Sequence, residues 1–210
     1  MIKLSPSLLA ANPLILGEEI QTVFTSGCDE LHFDVMDSYF VPNLTFGPHI
    51  LKAIKPVCPI TMDVHLMLNK PYGMLEPFAQ AGADLITVHA EAEEPEKCLH
   101  KIRELGLKAG LSIKPKTSTE YIQKLLPYCD RVLLMTVEPG FGGQKLMPEV
   151  LEKAIALRNM GFIEDIEADG GITCENAYLL AQAGIDTLVM GTAFFKSTCR
   201  DEVVKKIHGL

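Results

Sequence analysis

Short apolar segments alternate with amphipathic segments eight times along the 210-residue sequence. The apolar segments are rich in β-branched residues and are typical of buried strands, whereas the amphipathic segments have helical periodicity. Strands are predicted at residues 4–7, 31–36, 60–67, 85–89, 108–113, 131–136, 166–169 and 187–190. Helices are predicted at residues 17–25, 48–54, 74–81, 95–105, 118–126, 148–160, 175–183 and 200–207. Eight such units predict an α/β fold, a single (β/α)8 TIM-barrel domain over residues 1–210.

The competing fold for this alternation is an open doubly wound sheet. That fold favours a GxGxxG turn after the first strand, but residues 5–8 read Ser-Pro-Ser-Leu. Glycines stand where predicted helices stop before strands, as helix C-caps commonly do. With 48% hydrophobic residues the chain can also bury a sizeable core. The closed barrel is therefore the better prediction.

Side chains that can bind a metal alternate with apolar ones on three predicted strands, in the segments 32–37, 63–67 and 167–171. Strand geometry places His32 and Asp34 on one face and Phe33 on the other. His65 and Asp169 hold comparable positions on their strands. Two imidazoles and two carboxylates suit Zn²⁺, Mn²⁺ or Fe²⁺ without choosing among them. We predict one divalent cation, held by His32, Asp34, His65 and Asp169, with Asp34 and Asp169 as the catalytic carboxylates beside it.

Any one of these residues alone is more often a capping or hydrogen-bonding residue. Four of them on inward positions are hard to explain as packing, because buried charges without partners are costly. Asp63 and Glu167 point inward one step deeper, which favours roles in orienting the ligands. His89 has no aspartate two residues away, and we interpret it as a pocket-lining or structural residue.

Three glycine-bearing turns follow the last three predicted barrel strands, at residues 139–144, 169–172 and 190–193. Glycine allows backbone N–H groups to approach an anion closely, and loops after strands seven and eight commonly bind phosphate in such barrels. Turns need glycine anyway, so the prediction depends on all three sets. They predict a substrate-binding group of Gly140, Phe141, Gly142, Gly143, Asp169, Gly170, Gly171, Gly191 and Thr192. Residues 137–147 are long enough to fold over the substrate as a lid.

Met36, Met67 and Met135 fall near the ends of predicted strands. Methionine often fills core gaps, and that is one interpretation. The other is a polarisable pocket wall that surrounds a flat intermediate and offers no proton donors. The sequence leaves both open.

Composition limits the partners of the chain. A net charge of −8 argues against nucleic acid and anionic membranes. No segment approaches the ~18 apolar residues of a membrane span, and the apolar run at 8–11 is too short for a signal peptide. Six cysteines without a CxxC pair indicate reduced thiols. We therefore expect a cytoplasmic protein with no membrane partner.

Segments 32–37, 41–45, 63–67, 135–144 and 169–171 resemble the ribulose-phosphate 3-epimerase family, in register over residues 5–194. The resemblance implies a TIM barrel of the ribulose-phosphate-binding type and a metal-dependent epimerase of the pentose phosphate pathway. Such an enzyme inverts C3 of a phosphorylated ketose, interconverting D-ribulose 5-phosphate and D-xylulose 5-phosphate. We also expect a homo-oligomer.

Family roles can be carried over onto matching positions. The resemblance places the divalent ligands on His32, Asp34, His65 and Asp169, and the acid/base pair on Asp34 and Asp169. It places a substrate-contacting serine on Ser7, and we include His65 in the substrate-binding set. The two aspartates would transfer protons on opposite faces of an enediolate that the metal stabilises.

The sequence departs from the family at Ser38 and Tyr39, where Gly-His is common, and at Ala168, where valine is usual. Ala168 is expected to matter only for packing. The first two are expected nearer the mouth of the site, so a 3-epimerase of D-allulose 6-phosphate stays open as an alternative.

Three rival functions use the same fold. A phosphosugar decarboxylase would carry lysine where Met36 stands. A Schiff-base aldolase would use Lys114, but this lysine precedes Pro115 and is more simply a solvated loop charge. A non-catalytic sugar-phosphate-binding protein would not need the complete set of ligands and carboxylates.

Overall fold

A computed structural model describes all 210 residues as a barrel of parallel strands surrounded by helices. The strands are β1 (Lys3–Pro6), β2 (Glu30–Met36), β3 (Thr61–Met67), β4 (Leu85–His89), β5 (Lys108–Ile113), β6 (Arg131–Met135), β7 (Asp165–Asp169) and β8 (Thr187–Met190). The helices are α1 (Leu16–Thr25), α2 (Pro48–Ile54), α3 (Tyr72–Ala81), α4 (Pro95–Glu104), α5 (Thr119–Ile122), α6 (Leu151–Asn159), α7 (Ala177–Gln182), α8 (Thr192–Phe195) and α9 (Arg200–His208).

All eight strands form one parallel sheet in the order β1-β8-β7-β6-β5-β4-β3-β2. The two edge strands of this order meet through a single parallel bridge between Ser7 and His32, which brings the sheet back on itself. The predicted TIM barrel is confirmed. None of its helices is both long enough and apolar enough to cross a membrane.

Two helices differ from their predicted bounds because of proline. The helix predicted at 118–126 consists of the short α5 and a separate 3₁₀ turn, Leu126–Tyr128. Pro127 lacks an N–H and disfavours α-helical geometry at the residue before it, so one continuous helix cannot form there. The helix predicted at 148–160 begins as a 3₁₀ turn led by Pro148 before α6 starts at Leu151.

Alternation along the strands separates an apolar layer from a polar interior. Leu31, Phe33 and Val35 of β2 belong to the main core cluster, which lies between the sheet and the helices. The alternate residues of β2, His32 and Asp34, are buried as well but lie inside the barrel. Other buried polar residues of the strands include Ser5, Asp63, His65, Thr87, His89, Ser112, Arg131, Glu167 and Thr187. The barrel therefore encloses polar side chains that need partners within it.

Aspartates tie the strands together in pairs at the amino-terminal end of the barrel. The residue immediately before each of β2, β4, β6 and β8 is an aspartate whose carboxylate accepts a backbone N–H from the preceding odd-numbered strand. The pairs are Asp29 with Leu4 at 2.8 Å, Asp84 with Met62 at 2.7 Å, Asp130 with Ala109 at 2.8 Å and Asp186 with Ile166 at 2.8 Å. Each aspartate therefore joins the start of one strand to the preceding strand, and the same hydrogen bond occurs four times around the barrel.

An ionic network fills the amino-terminal end of the barrel interior. Arg131 on β6 donates to both carboxylate oxygens of Glu30 on β2, at 2.7 and 2.9 Å, across the barrel. It also donates to Asp165 at 3.0 Å and lies 3.4 Å from Asp63 and 3.3 Å from Glu167. Burial raises the pKa of Glu167 well above its usual range despite the nearby arginine charge.

Candidate functional site

The four predicted ligands converge at the carboxyl-terminal half of the barrel. His32 and Asp34 lie on β2, His65 lies on β3 beside Asp34 in the strand register, and Asp169 ends β7. One ligand atom from each of the four lies within 4.8 Å of the others. Both histidines are fully buried and Asp34 is nearly so. The chain folds this way because the pleat directs alternate residues inward and the parallel register aligns them.

His32 presents one ring nitrogen to the centre and the other to a carboxylate behind it. Its Nδ1 lies 2.5 Å from Asp63 Oδ2, and its buried Nε2 has no hydrogen-bond partner and lies 3.3 Å from Asp34 Oδ1. Burial alone would lower the pKa of His32, but the charges of Asp63 and Asp34 raise it well above the ordinary value. A centre that favours a proton on this buried ring also favours a cation.

His65 has a histidine behind it instead of a carboxylate. Its Nδ1 lies 3.2 Å from Asp34 Oδ1, and its Nε2 lies 2.9 Å from Nε2 of His89. His89 Nδ1 in turn lies 3.2 Å from Glu91 Oε2. His89 does not line the cavity described below, so of the two interpretations, pocket-lining and structural, only the structural one fits. The sequence reasoning missed Glu91, although a carboxylate two residues after His89 was visible as a signal.

The two predicted catalytic carboxylates have opposite electrostatic settings. Burial on its own would raise the pKa of Asp34, but the charge of His32 and the close approach of both site histidines hold it well below its usual range. Ser7 Oγ donates to Asp34 Oδ2 at 2.6 Å. Burial and the nearby charge of Asp34 raise the pKa of Asp169 to about 7. The pair can therefore hold one proton between its two members at neutral pH.

The site opens into a cavity of about 320 Å³ at the mouth of the barrel. This volume lies at the lower end of the range for small-molecule pockets. Of the predicted site residues, all except the buried His32 and His65 line it: Ser7, Asp34, Met36, Met67, Met135, Gly140, Phe141, Gly142, Gly143, Asp169, Gly170, Gly171, Gly191 and Thr192. Residues that the sequence reasoning missed include Leu9, Ala10, Gln144 and Thr173. Gln144 ends the glycine-bearing turn 139–144, which was an available signal, whereas Leu9, Ala10 and Thr173 carry no charge or motif that would have marked them.

The three methionines are buried in two small apolar clusters at the cavity. Met36 and Met67 pack with Val41, and Met135 packs with Leu133 and Val137. All three methionines also contribute to the cavity wall. The two interpretations of these methionines, core filling and pocket wall, therefore describe one arrangement.

The turns after β7 and β8 present free backbone donors at the cavity. The N–H groups of Gly171, Gly191 and Thr192 donate to no protein acceptor. Gly171 has φ +67°, and a Cβ added to it would lie 2.2 Å from the backbone nitrogen of Leu146. Glycine is therefore required where this turn meets the 137–147 segment.

Residues 137–147 cover part of the cavity and are held by hydrogen bonds. The side-chain amide of Gln144 donates to the backbone oxygens of Glu138 at 2.7 Å and Phe141 at 2.8 Å. Asn43 donates to Gly140 O at 2.8 Å, which joins the segment to the loop after β2. The side chain of Phe141 is 56% exposed at the rim.

Neither of the departures near the mouth lines the cavity. Ser38 has φ +62°, a left-handed conformation that glycine adopts more easily, and Tyr39 is 80% exposed. Lys114, the residue considered for a Schiff base, also lies outside the cavity, with its ammonium 3.9 Å from the centre of the Phe40 ring. Ala168 is buried in the layer between sheet and helices.

The donor set fits a divalent transition metal. It offers two imidazoles and two carboxylates, and the buried Nε2 of the His32 ring has no hydrogen-bond partner. A hydrogen-bonded group stands behind each histidine. The identity of the metal does not follow from these donors.

Known proteins resemble the chain over nearly its whole length. The sequence profile described as "Ribulose-phosphate 3 epimerase family" matches residues 3–195. The ribulose-phosphate 3-epimerase of Synechocystis is 46% identical over 99% of this chain and 93% of its own length. The Bacillus subtilis protein of the same name is 42% identical over 100% of this chain and 99% of its own length. The chloroplastic ribulose-5-phosphate-3-epimerase of Arabidopsis thaliana is 41% identical, covering 98% and 76% respectively.

Solved structures of lower identity share the fold. KGPDC from Streptococcus mutans superposes with a TM-score of 0.76 at 14% identity, over 100% of this chain and 96% of that one. The 3-hexulose-6-phosphate synthase of Salmonella typhimurium gives 0.75 at 17% identity, over 99% and 97%. The predicted resemblance and the predicted isomerase class are confirmed by the relatives of 41–46% identity. The chain thus belongs to the ribulose-phosphate 3-epimerase family.

Proposed function

We propose that the protein inverts C3 of a phosphorylated ketose, interconverting D-ribulose 5-phosphate and D-xylulose 5-phosphate. The relatives' names support this reaction. The observation that carries it is the pair of carboxylates that line the cavity beside the ligand cluster, Asp34 on β2 and Asp169 on β7. In the metal-free site their surroundings push the two carboxyl pKa values apart, with that of Asp34 held low and that of Asp169 raised to about 7, which is the pattern of a base paired with an acid.

His32, Asp34, His65 and Asp169 would hold one divalent cation, as Zn²⁺, Fe²⁺ or Mn²⁺. When bound, such a cation stabilises negative charge that develops on neighbouring substrate oxygens. The structure supports this ligand set by the convergence of the four donors and by the orphaned Nε2 of His32.

The two aspartates perform the proton transfers. One takes the proton from C3 and the other returns a proton to C3 from the opposite face, which inverts its configuration. Asp34 on β2 and Asp169 on β7 come from strands that are not neighbours, so they can face the substrate carbon from two directions. Ser7, which donates to Asp34 at 2.6 Å, holds that carboxylate in place.

The free N–H groups of Gly171, Gly191 and Thr192 would bind the phosphate at the other end of the cavity. Binding energy from this remote group orients C3 between the aspartates. Closure of residues 137–147 as a lid and assembly into a homo-oligomer stay predictions.

A direct assay tests the reaction and the sugar. The metal-loaded protein should convert D-ribulose 5-phosphate to D-xylulose 5-phosphate faster than it converts D-allulose 6-phosphate. The six-carbon alternative depended on Ser38 and Tyr39, and neither residue lines the cavity. Exhaustive chelation should abolish turnover, and added Zn²⁺, Fe²⁺ or Mn²⁺ should restore it. Preference for the six-carbon substrate would reassign the sugar, and full activity after chelation would refute the metal.

A further inference from the structure

A chain of three buried or half-buried side chains leads from the metal centre to the loop after β4. His65 Nε2 lies 2.9 Å from His89 Nε2, and His89 Nδ1 lies 3.2 Å from Glu91 Oε2. Both imidazoles are fully buried. The proposed chemistry uses only His65, so the other two residues have no role yet.

We propose that Glu91, acting through His89, fixes the tautomer of His65 so that its Nδ1 offers a lone pair to the cation. Glu91 and His89 are then positioning residues for the metal. This inference rests on the metal site proposed above and adds two residues to it.

The tautomers follow from one fixed end of the chain. A carboxylate only accepts hydrogen bonds, so His89 Nδ1 must carry the hydrogen that faces Glu91. His89 Nε2 then has a lone pair, and the hydrogen between the two rings belongs to His65 Nε2. A neutral imidazole has one N–H, so His65 Nδ1 is left with its lone pair toward Asp34 Oδ1, 3.2 Å away. Two acceptors facing each other favour a cation between them.

The orientation of the Glu91 carboxylate is also fixed. Its Oε1 accepts the backbone N–H of Lys114 at 2.9 Å and the hydroxyl of Thr117. The backbone N–H can only donate, so an oxygen must occupy that side of residue 91. The Oε2 side is therefore the one that faces His89.

This arrangement makes Glu91→Gln a test of hydrogen direction. The amide oxygen must face Lys114 N–H, so the amide NH₂ turns toward His89 and donates to its Nδ1. The hydrogen then moves to His89 Nε2, and His65 carries its hydrogen on Nδ1, where it donates to Asp34. The ligand atom is thereby blocked while the shape of the side chain is almost unchanged.

The experiment measures Zn²⁺ affinity by competition with a chromophoric chelator, using protein first stripped of metal. We expect Glu91→Gln to weaken Zn²⁺ binding by roughly 10- to 100-fold, the range found when groups behind a metal ligand are removed. Its metal-free form should unfold at or above the wild-type temperature, because His65 gains a hydrogen bond to Asp34. The matched control is Glu93→Gln, since Glu93 is an exposed carboxylate on the same loop that pairs only with Lys70 at 3.0 Å. It should bind Zn²⁺ like the wild type.

A second readout follows the hydrogens directly. In metal-free, ¹⁵N-histidine-labelled protein, two-bond ¹H–¹⁵N spectra should show His89 with its hydrogen on Nδ1 in the wild type and on Nε2 in Glu91→Gln. A merely structural glutamate would not move this signal. Unchanged tautomers together with Zn²⁺ affinity within twofold of the wild type would overturn the inference.

His89→Phe keeps the test decisive if Glu91→Gln fails to fold. It removes the acceptor for His65 Nε2–H and should weaken Zn²⁺ binding about tenfold or more. In the double variant, Glu91→Gln should add nothing, because its effect passes through His89; additive losses would contradict the proposed chain. Wild-type protein that binds no divalent cation would refute the metal site itself. Wild-type protein that binds Zn²⁺ as tightly as Glu91→Gln would instead refute only the role of Glu91.

Discussion

At the scale of single residues, Asp34 and Asp169 both face the cavity but have different surroundings. Asp34 contacts both site histidines and Ser7, whereas the main charge near Asp169 is that of Asp34. Replacing either with asparagine removes one proton-transfer group and nearly preserves its shape. We expect kcat to fall by at least ~10³ in each variant while the fold persists. Turnover and circular dichroism measure both, with exposed Asp201→Asn as the control; near-native turnover in either variant would refute the two-base scheme.

The raised pKa of Asp169 also predicts a pH dependence of stability in the metal-free protein. Its pKa rises from 3.8 to about 7 on folding, so the folded state binds this proton more tightly than the unfolded chain. The resulting stabilisation is complete below 3.8 and is lost as the pH rises through 7. Asp169→Asn, which has no such proton, should therefore gain stability relative to the wild type as the pH rises from about 4 to about 7. Urea unfolding with a chelator present measures this gain, and a pH-independent difference would contradict it.

The sequence was sufficient for the four converging donors but not for the groups behind His65. Alternation on a strand predicts which face His32 and Asp34 occupy, and parallel register then brings His65 beside them. Glu91 lies beyond the end of β4, where no periodicity applies. Its direction depends on Lys114 and Thr117, which follow β5 and become neighbours only in the folded barrel.

At the scale of elements, the strands were predictable to within a residue at each end, because burial imposes their apolar pattern. Helix ends were less predictable where proline intervened, as at Pro127. The aspartates that tie neighbouring strands together were visible in sequence only as residues after helix ends. Their acceptor role requires the neighbouring strand, as with Asp130 and the buried N–H of Ala109.

Asp130 allows this tie to be measured. Asp130→Ala leaves the buried N–H of Ala109 without an acceptor and should lower the free energy of unfolding by about 1–3 kcal/mol. Asp130→Asn keeps an acceptor oxygen and loses only the charge toward Arg103, an exposed pair at 3.0 Å, so it should lose less than about 1 kcal/mol. Denaturant titration of the two variants compares them, and equal losses would show that the ion pair, not the backbone bond, stabilises the strands.

At the scale of the whole molecule, one polar interior runs from the amino-terminal end of the barrel to the proposed metal site. Arg131 lies 3.4 Å from Asp63, and Asp63 hydrogen-bonds to Nδ1 of His32. The other ring nitrogen of His32, Nε2, faces the proposed metal site. The charges that hold opposite strands together thus also set the environment of a proposed ligand. Sequence reasoning predicted that Asp63 and Glu167 lie behind the ligands, and Asp63 does contact His32, whereas Arg131 looked only like the start of a strand.

Arg131→Met should reveal how much this network contributes to the barrel. It leaves Glu30, Asp63 and Asp165 with fewer or no positive partners in a buried space, so we expect the free energy of unfolding to fall by about 3–5 kcal/mol. Arg103→Met, which breaks only an exposed pair, should cost less than about 1 kcal/mol. Arg131→Lys keeps the positive charge but cannot form the two parallel hydrogen bonds to the Glu30 carboxylate. Its loss of unfolding free energy should therefore lie between those of Arg131→Met and Arg103→Met. Denaturant unfolding ranks the three variants. If Arg131→Met were as stable as Arg103→Met, the network would add nothing measurable to the stability of the barrel and would serve only the electrostatics of His32.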